Sequence, residues 1–157
     1  MISDKALYKQ ITKVFENIQD LKSAYNKAKV TNPAKAKSIA EKLNKEQQRF
    51  KLLNKKYNIL RKFDAFKQHV HATIAKLDKQ QKQLHDSIIK LSKQLRKTKD
   101  IKQKIAIRNQ ITSARNQIND IMTQKENLLD QVRLNDSKID KFMDQIDGML
   151  RKLGHKR

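Results

Sequence analysis

Two dense basic stretches are the part of this chain best equipped for chemistry. The first holds Arg49, Lys51, Lys55, Lys56, Arg61 and Lys62, with no acidic residue among them before Asp64. In the second, Lys90, Lys93, Arg96, Lys97, Lys99, Lys102, Lys104 and Arg108 face only Asp100. Clustered ammonium and guanidinium groups neutralise phosphates and release condensed counterions, the main source of sequence-independent affinity for nucleic acid. Lysines outnumber arginines 29 to 8, and arginine is the usual bidentate reader of guanine edges. The pattern therefore predicts backbone contact with DNA or RNA and little base readout, with the second stretch as the principal site.

Other reactive groups form no constellation. His69 and His71 are two residues apart and diverge on a helix, and His85 and His155 have no evident partner in the sequence. Asp136, Asp140, Asp144 and Asp147 share one helical face at spacings of four, four and three. Such a strip can hold a hard cation or raise a carboxylate pKa, but its plainer reading is a solvated face turned toward lysines of a neighbouring helix. The absence of cysteine removes disulfides, thiolate chemistry and the common structural zinc sites. No glycine-rich phosphate loop or nucleophile elbow occurs. The expectation is a protein that is not an enzyme and takes no cofactor or metal.

Charge placement carries the same message. The 37 Lys and Arg against 16 Asp and Glu give a net +21, well beyond what solubility alone favours. Positions 35–108 hold 22 basic and 6 acidic residues, whereas positions 109–147 hold 5 and 7. A gradient this steep implies a polyanionic partner, because a surface that is merely solvated mixes both signs.

These side chains must be carried by long helices, since 2 Gly and 1 Pro in 157 residues leave almost no punctuation. A first helix is predicted over about 4–30, with Leu7, Ile11, Val14, Ile18, Leu21, Tyr25 and Ala28 at alternating steps of four and three. Thr31-Asn32-Pro33 stops it: Asn32 can cap a new helix in which Pro33 takes the first position. The second helix, about 33–98 and roughly 100 Å long at the usual rise, has Ala36, Ile39, Leu43, Phe50, Leu53, Tyr57 and Leu60 as its seam. The pattern stumbles at Phe63, Asp64, Phe66 and Lys67, then resumes at Val70, Ile74, Leu77, Leu84, Ile88, Leu91 and Leu95 in a register advanced by three residues. Such an offset overwinds a coiled coil or marks a change of partner.

A third helix, about 100–153, has the clearest seam: Ile107, Ile111, Ala114, Ile118, Ile121, Leu128, Val132, Ile139, Phe142, Ile146, Met149 and Leu153, interrupted by Lys125 and Asn135. With Gln81, those two polar residues read as register or partner specifiers. Asp100 can cap this helix, with Gln103 completing a capping box, and Gly154 ends it ahead of a basic tail, 154–157. A turn at residues 98–100 is preferred to one uninterrupted helix in a parallel dimer. Aromatic placement agrees: a turn near residue 31 brings Phe15 to Phe50 and Tyr8 to Tyr57, and one near residue 99 sets Phe142 opposite Tyr57, a layer that reads as core packing rather than base stacking.

The fold implied is all-α: an elongated antiparallel coiled-coil hairpin of helices 2 and 3, with the shorter N-terminal helix making a partial three-helix bundle, all within a single domain. An N-terminus without an apolar stretch and the lack of any 18-residue apolar run predict an intracellular protein without a signal peptide or membrane span. Two further partner classes fit the same architecture: a protein partner or second copy held by the apolar seam, as in a scaffold or adaptor, and an anionic membrane surface.

Overall fold

The computed structural model describes residues 4–154 and consists there of three α-helices: α1 (Asp4–Thr31), α2 (Pro33–Lys97) and α3 (Ile101–Lys152). Residues 155–157, which include His155 and most of the basic tail, lie outside the described residues. The first turn is a single residue. Asn32 ends α1 by donating its amide to the Ala28 carbonyl at 2.7 Å, and its side-chain Oδ1 accepts the Lys35 amide at 3.3 Å to open α2. Pro33 follows as the first helical residue, where its missing amide hydrogen costs nothing.

The second turn, residues 98–100, is built from the side chains that the sequence offers. Thr98 Oγ1 donates to the Gln94 carbonyl at 2.6 Å, closing α2. The Asp100 carbonyl accepts the Lys104 amide at 3.0 Å, and its carboxylate accepts the Lys102 amide at 3.4 Å. Asp100 thus caps α3, but among the described residues the Gln103 side chain makes no return bond and the capping box stays half-built. Gly154 closes α3 in the left-handed region, φ 82°, with its amide bonded to the Arg151 carbonyl.

The chain divides into two compact units, residues 1–64 with 136–157 and residues 65–135. In the first, α1 packs on both other helices. Leu7, Ile11, Val14 and Ile18 of α1 meet Leu53 and Leu60 of α2 and Met143 of α3, with Leu43, Phe50, Tyr57, Ile139 and Leu150 closing the edges. Burying one such side chain contributes about 1.5–3 kcal/mol, and Leu7 is fully enclosed. The pairs foreseen across the first turn are present: Tyr8 on Tyr57 and Phe15 on Phe50, each with ring centroids 6.0 Å apart and tilted planes. Tyr8 and Phe15 keep much of their surface in solvent, so the pairs seal the margin of the core.

Phe142 does not join them. It is 49% exposed, as is Met149 to a similar degree, while Met143, Ile146 and Leu150 turn inward. The seam of α3 runs Asn135, Ile139, Met143, with two successive steps of four where a strict heptad alternates. An added four-residue step unwinds the stripe locally and brings the next residue into the core. A compensating event occurs on α2, where Tyr57, Leu60 and the buried Phe63 are linked by two successive steps of three, the overwinding foreseen from the shift in its seam.

The second unit is a two-helix antiparallel hairpin. Val70 and Leu77 of α2 and Ile111, Ala114, Ile118 and Ile121 of α3 are buried, with half-buried Leu84, Ile88, Leu91 and Leu95 continuing the α2 side. The polar interruption is satisfied across the seam: Lys125 donates to Gln81 Oε1 at 2.8 Å and pairs with the Asp78 carboxylate. Residues 78 and 81 lie one to two turns beyond the partner that a fold symmetric about residue 99 gives Lys125. Among the described residues, no helix is long and apolar enough to cross a membrane.

Candidate nucleic-acid interface

The eight cations of the second basic stretch fall within one unit, on the last two turns of α2, the turn itself and the first two turns of α3. Most of them are off the apolar seam because the seam occupies Leu91, Leu95 and Ile107, and residues one or two positions away point elsewhere on the helix, whereas Lys104, three positions before Ile107, lies beside the seam. Lys90, Lys93, Arg96, Lys97, Lys99, Lys102 and Arg108 are exposed; Lys104 is half-buried. None of the eight has a carboxylate within 4.0 Å among the described residues. The single acid among them, Asp100, accepts the backbone amide that starts α3. An open groove of about 390 Å³ lies beside the turn, lined by Gln94, Lys97, Thr98, Gln103, Ala106 and Ile107.

The first basic stretch belongs to the other unit and is less uniform. Lys51, Lys55, Arg61 and Lys62 are exposed. Lys51, Lys55 and Lys62 share with Asn54 and Asn58 an open depression of about 420 Å³ floored by Phe50 and Ile59, and the Arg61 guanidinium lies 5.7 Å from the Tyr57 ring centroid, within cation–π range. Arg49 is half-buried and reaches Glu46, one turn back, at 3.9 Å. Lys56 does not belong to an accessible surface at all: its side chain is 7% exposed and its Nζ donates to Asp147 at 2.9 Å. Leu53, Lys56 and Leu60 lie at helical spacing, so Lys56 sits on the buried stripe between two core leucines, and only an acid on α3 makes that placement affordable.

The same contact accounts for one member of the aspartate strip. Asp147 is the residue that meets a helix 2 lysine, whereas Asp136, Asp140 and Asp144 are exposed. Among the described residues there is no group of three or more His, Cys, Asp or Glu side chains placed to hold a metal ion. His69, His71 and His85 are exposed. Sequence reasoning missed two apolar residues at the turn, Ile101 and Ile105, both largely in solvent; the available signal was that they precede the seam and stand out of its register. No family model, no curated protein and no solved structure matches this chain.

Proposed function

We propose that this is a non-enzymatic, intracellular protein that binds DNA or RNA by its phosphate backbone, through the turn between α2 and α3 and the helix ends beside it. The observation that carries this reading is the set of seven exposed cations there with no carboxylate within 4.0 Å among the described residues. Keeping so many like charges together works against stability through mutual repulsion, and a polyanion relieves it. The exposed Lys51, Lys55 and Lys62 of the first unit offer a further backbone contact of the same kind.

If the turn neutralises about six phosphates, log affinity for a duplex falls against log salt with a slope near −5, at roughly 0.9 per phosphate. Reversing Lys93, Arg96, Lys97 and Lys99 to Glu abolishes binding while circular dichroism shows helicity retained. A second reading, a scaffold that binds protein, is favoured by Met122 and Leu129, exposed residues seven apart on α3. A salt-insensitive protein complex untouched by the charge reversal supports that reading. Flotation with anionic vesicles that nucleic acid does not compete away supports a membrane surface instead.

A further inference from the structure

Ile101 opens α3 directly after the turn and is 71% exposed; Ile105, one helical turn on, is 51% exposed. Neither serves the hairpin core, whose α3 side begins at Ile107. Around them in sequence stand Lys99, Lys102 and Lys104 and one acid, Asp100, whose carboxylate accepts the Lys102 amide. The turn therefore presents a small apolar surface among charges that are mostly positive.

A complementary partner must carry negative charge outside and an apolar layer within reach of one side chain. Nucleic acid has that construction, with phosphates flanking a stack of base faces. Two packed helices, each about 10–12 Å across with side chains, are together wider than either groove, at about 6 Å and about 12 Å. The hairpin cannot enter end-on as a body, so in that approach the side chains at its turn are the ones that reach the bases. Isoleucine is among the residues that wedge between base steps, at a cost of a few kcal/mol of unstacking per step.

We propose, resting on the phosphate-binding reading above, that Ile101 is an apolar wedge and that the preferred ligand is a duplex whose stack is already interrupted, by a bulge, nick or gap. An interrupted stack lowers the unstacking cost before the protein arrives, as it does for damaged or mismatched bases. The cations set the affinity; Ile101 sets the preference among duplexes.

The test compares a short continuous duplex with the same duplex carrying a bulge, using 2-aminopurine beside the bulge as a stacking probe. The wild-type protein binds the bulged duplex about tenfold more tightly, equivalent to about 1.4 kcal/mol, part of one unstacked step, and 2-aminopurine fluorescence rises on binding. Ile101→Ala brings the two affinities to parity and removes the fluorescence rise, with the salt slope on the continuous duplex unchanged. Ile101→Lys, which adds a charge, tightens binding to the continuous duplex yet also abolishes the preference. Because Ile101 is exposed, both variants melt like the wild type, so a loss of preference is not a loss of fold. Salt-dependent binding without a preference, or a preference that survives both substitutions, overturns the wedge and leaves the phosphate-binding reading standing. No binding to any duplex at low salt overturns both.

Discussion

The pair of Lys56 and Asp147 makes the sharpest demand on the described packing. Its two members are unequally placed: the lysine side chain is 7% exposed and the aspartate 46%. Desolvation therefore falls on the ammonium, while the carboxylate keeps about half of its hydration. Breaking a fully buried pair by deleting one partner costs about 3–5 kcal/mol, because a charge is left buried and uncompensated. In Asp147→Asn the ammonium stays buried but keeps an amide oxygen within reach at a half-solvated edge, which reduces the cost to about 2 kcal/mol. Lys56→Met removes the buried charge and fills the same space between Leu53 and Leu60, and the remaining Asp147 is hydrated, so stability stays within about 1 kcal/mol of the wild type or rises. The double variant Lys56→Met/Asp147→Asn should match Lys56→Met, because the aspartate has nothing left to compensate. Urea unfolding followed at 222 nm, arranged as a double-mutant cycle, reads all three values. The reasoning is refuted if Lys56→Met costs more than Asp147→Asn, which would mean that the ion pair itself stabilises the core. As Lys56 is not accessible, Lys56→Met also leaves the salt slope for a duplex unchanged.

Two other predictions follow from the seams. Met143→Ala should cost about 3 kcal/mol by cavity formation and Phe142→Ala less than about 1; a strict heptad through α3 demands the reverse order, and urea midpoints of the two variants decide between them. Replacing Gln81 and Lys125 together by Leu should raise stability by about 1–2 kcal/mol while loosening pairing specificity, seen as a higher urea midpoint with oligomers in light scattering; a monodisperse, less stable variant contradicts that role for the polar contact.

Helix ends were readable because capping is local chemistry. Asn32-Pro33, Thr98 with Asp100, and Gly154 each satisfy backbone groups within a few residues of themselves, so no knowledge of tertiary structure was needed. The pairing of Phe15 with Phe50 and of Tyr8 with Tyr57 was readable for a related reason: a one-residue turn leaves two helices almost no freedom to slide. The second turn has three residues, and the contacts of Lys125 with residues 78 and 81, and of Lys56 with Asp147, both place α3 about one helical turn beyond the symmetric alignment. The added four-residue step at Ile139 is why Phe142 lies outside and Met143 within. Lys56 reads as a surface cation by residue type alone, but its position between two core leucines puts it on the buried stripe.

The irregular steps have a common physical cause in the number of partners that α2 must satisfy. Where α1 and α3 both pack on it, α2 covers a broad stripe in which adjacent positions share burial: Ile39 with Ala40, Lys56 with Tyr57, Ile59 with Leu60. From Leu77 to Ile88 the stripe narrows to single positions at Leu77, Gln81, Leu84 and Ile88, the two-per-heptad seam of a hairpin with one partner. Passing from a broad stripe to a narrow one rotates the centre of the buried face, and a helix that stays continuous can absorb that rotation by changing the step of its seam. The extra step of three at Phe63 falls beside the boundary between the units at residues 64 and 65. The same narrowing frees most of the circumference of α2 for charge. A helix between two partners must hide Lys56, whereas near the turn it can display Lys90, Lys93, Arg96 and Lys97 at once, and this is the physical reason that the cations of α2 in the second basic stretch are all exposed while the first stretch is partly buried.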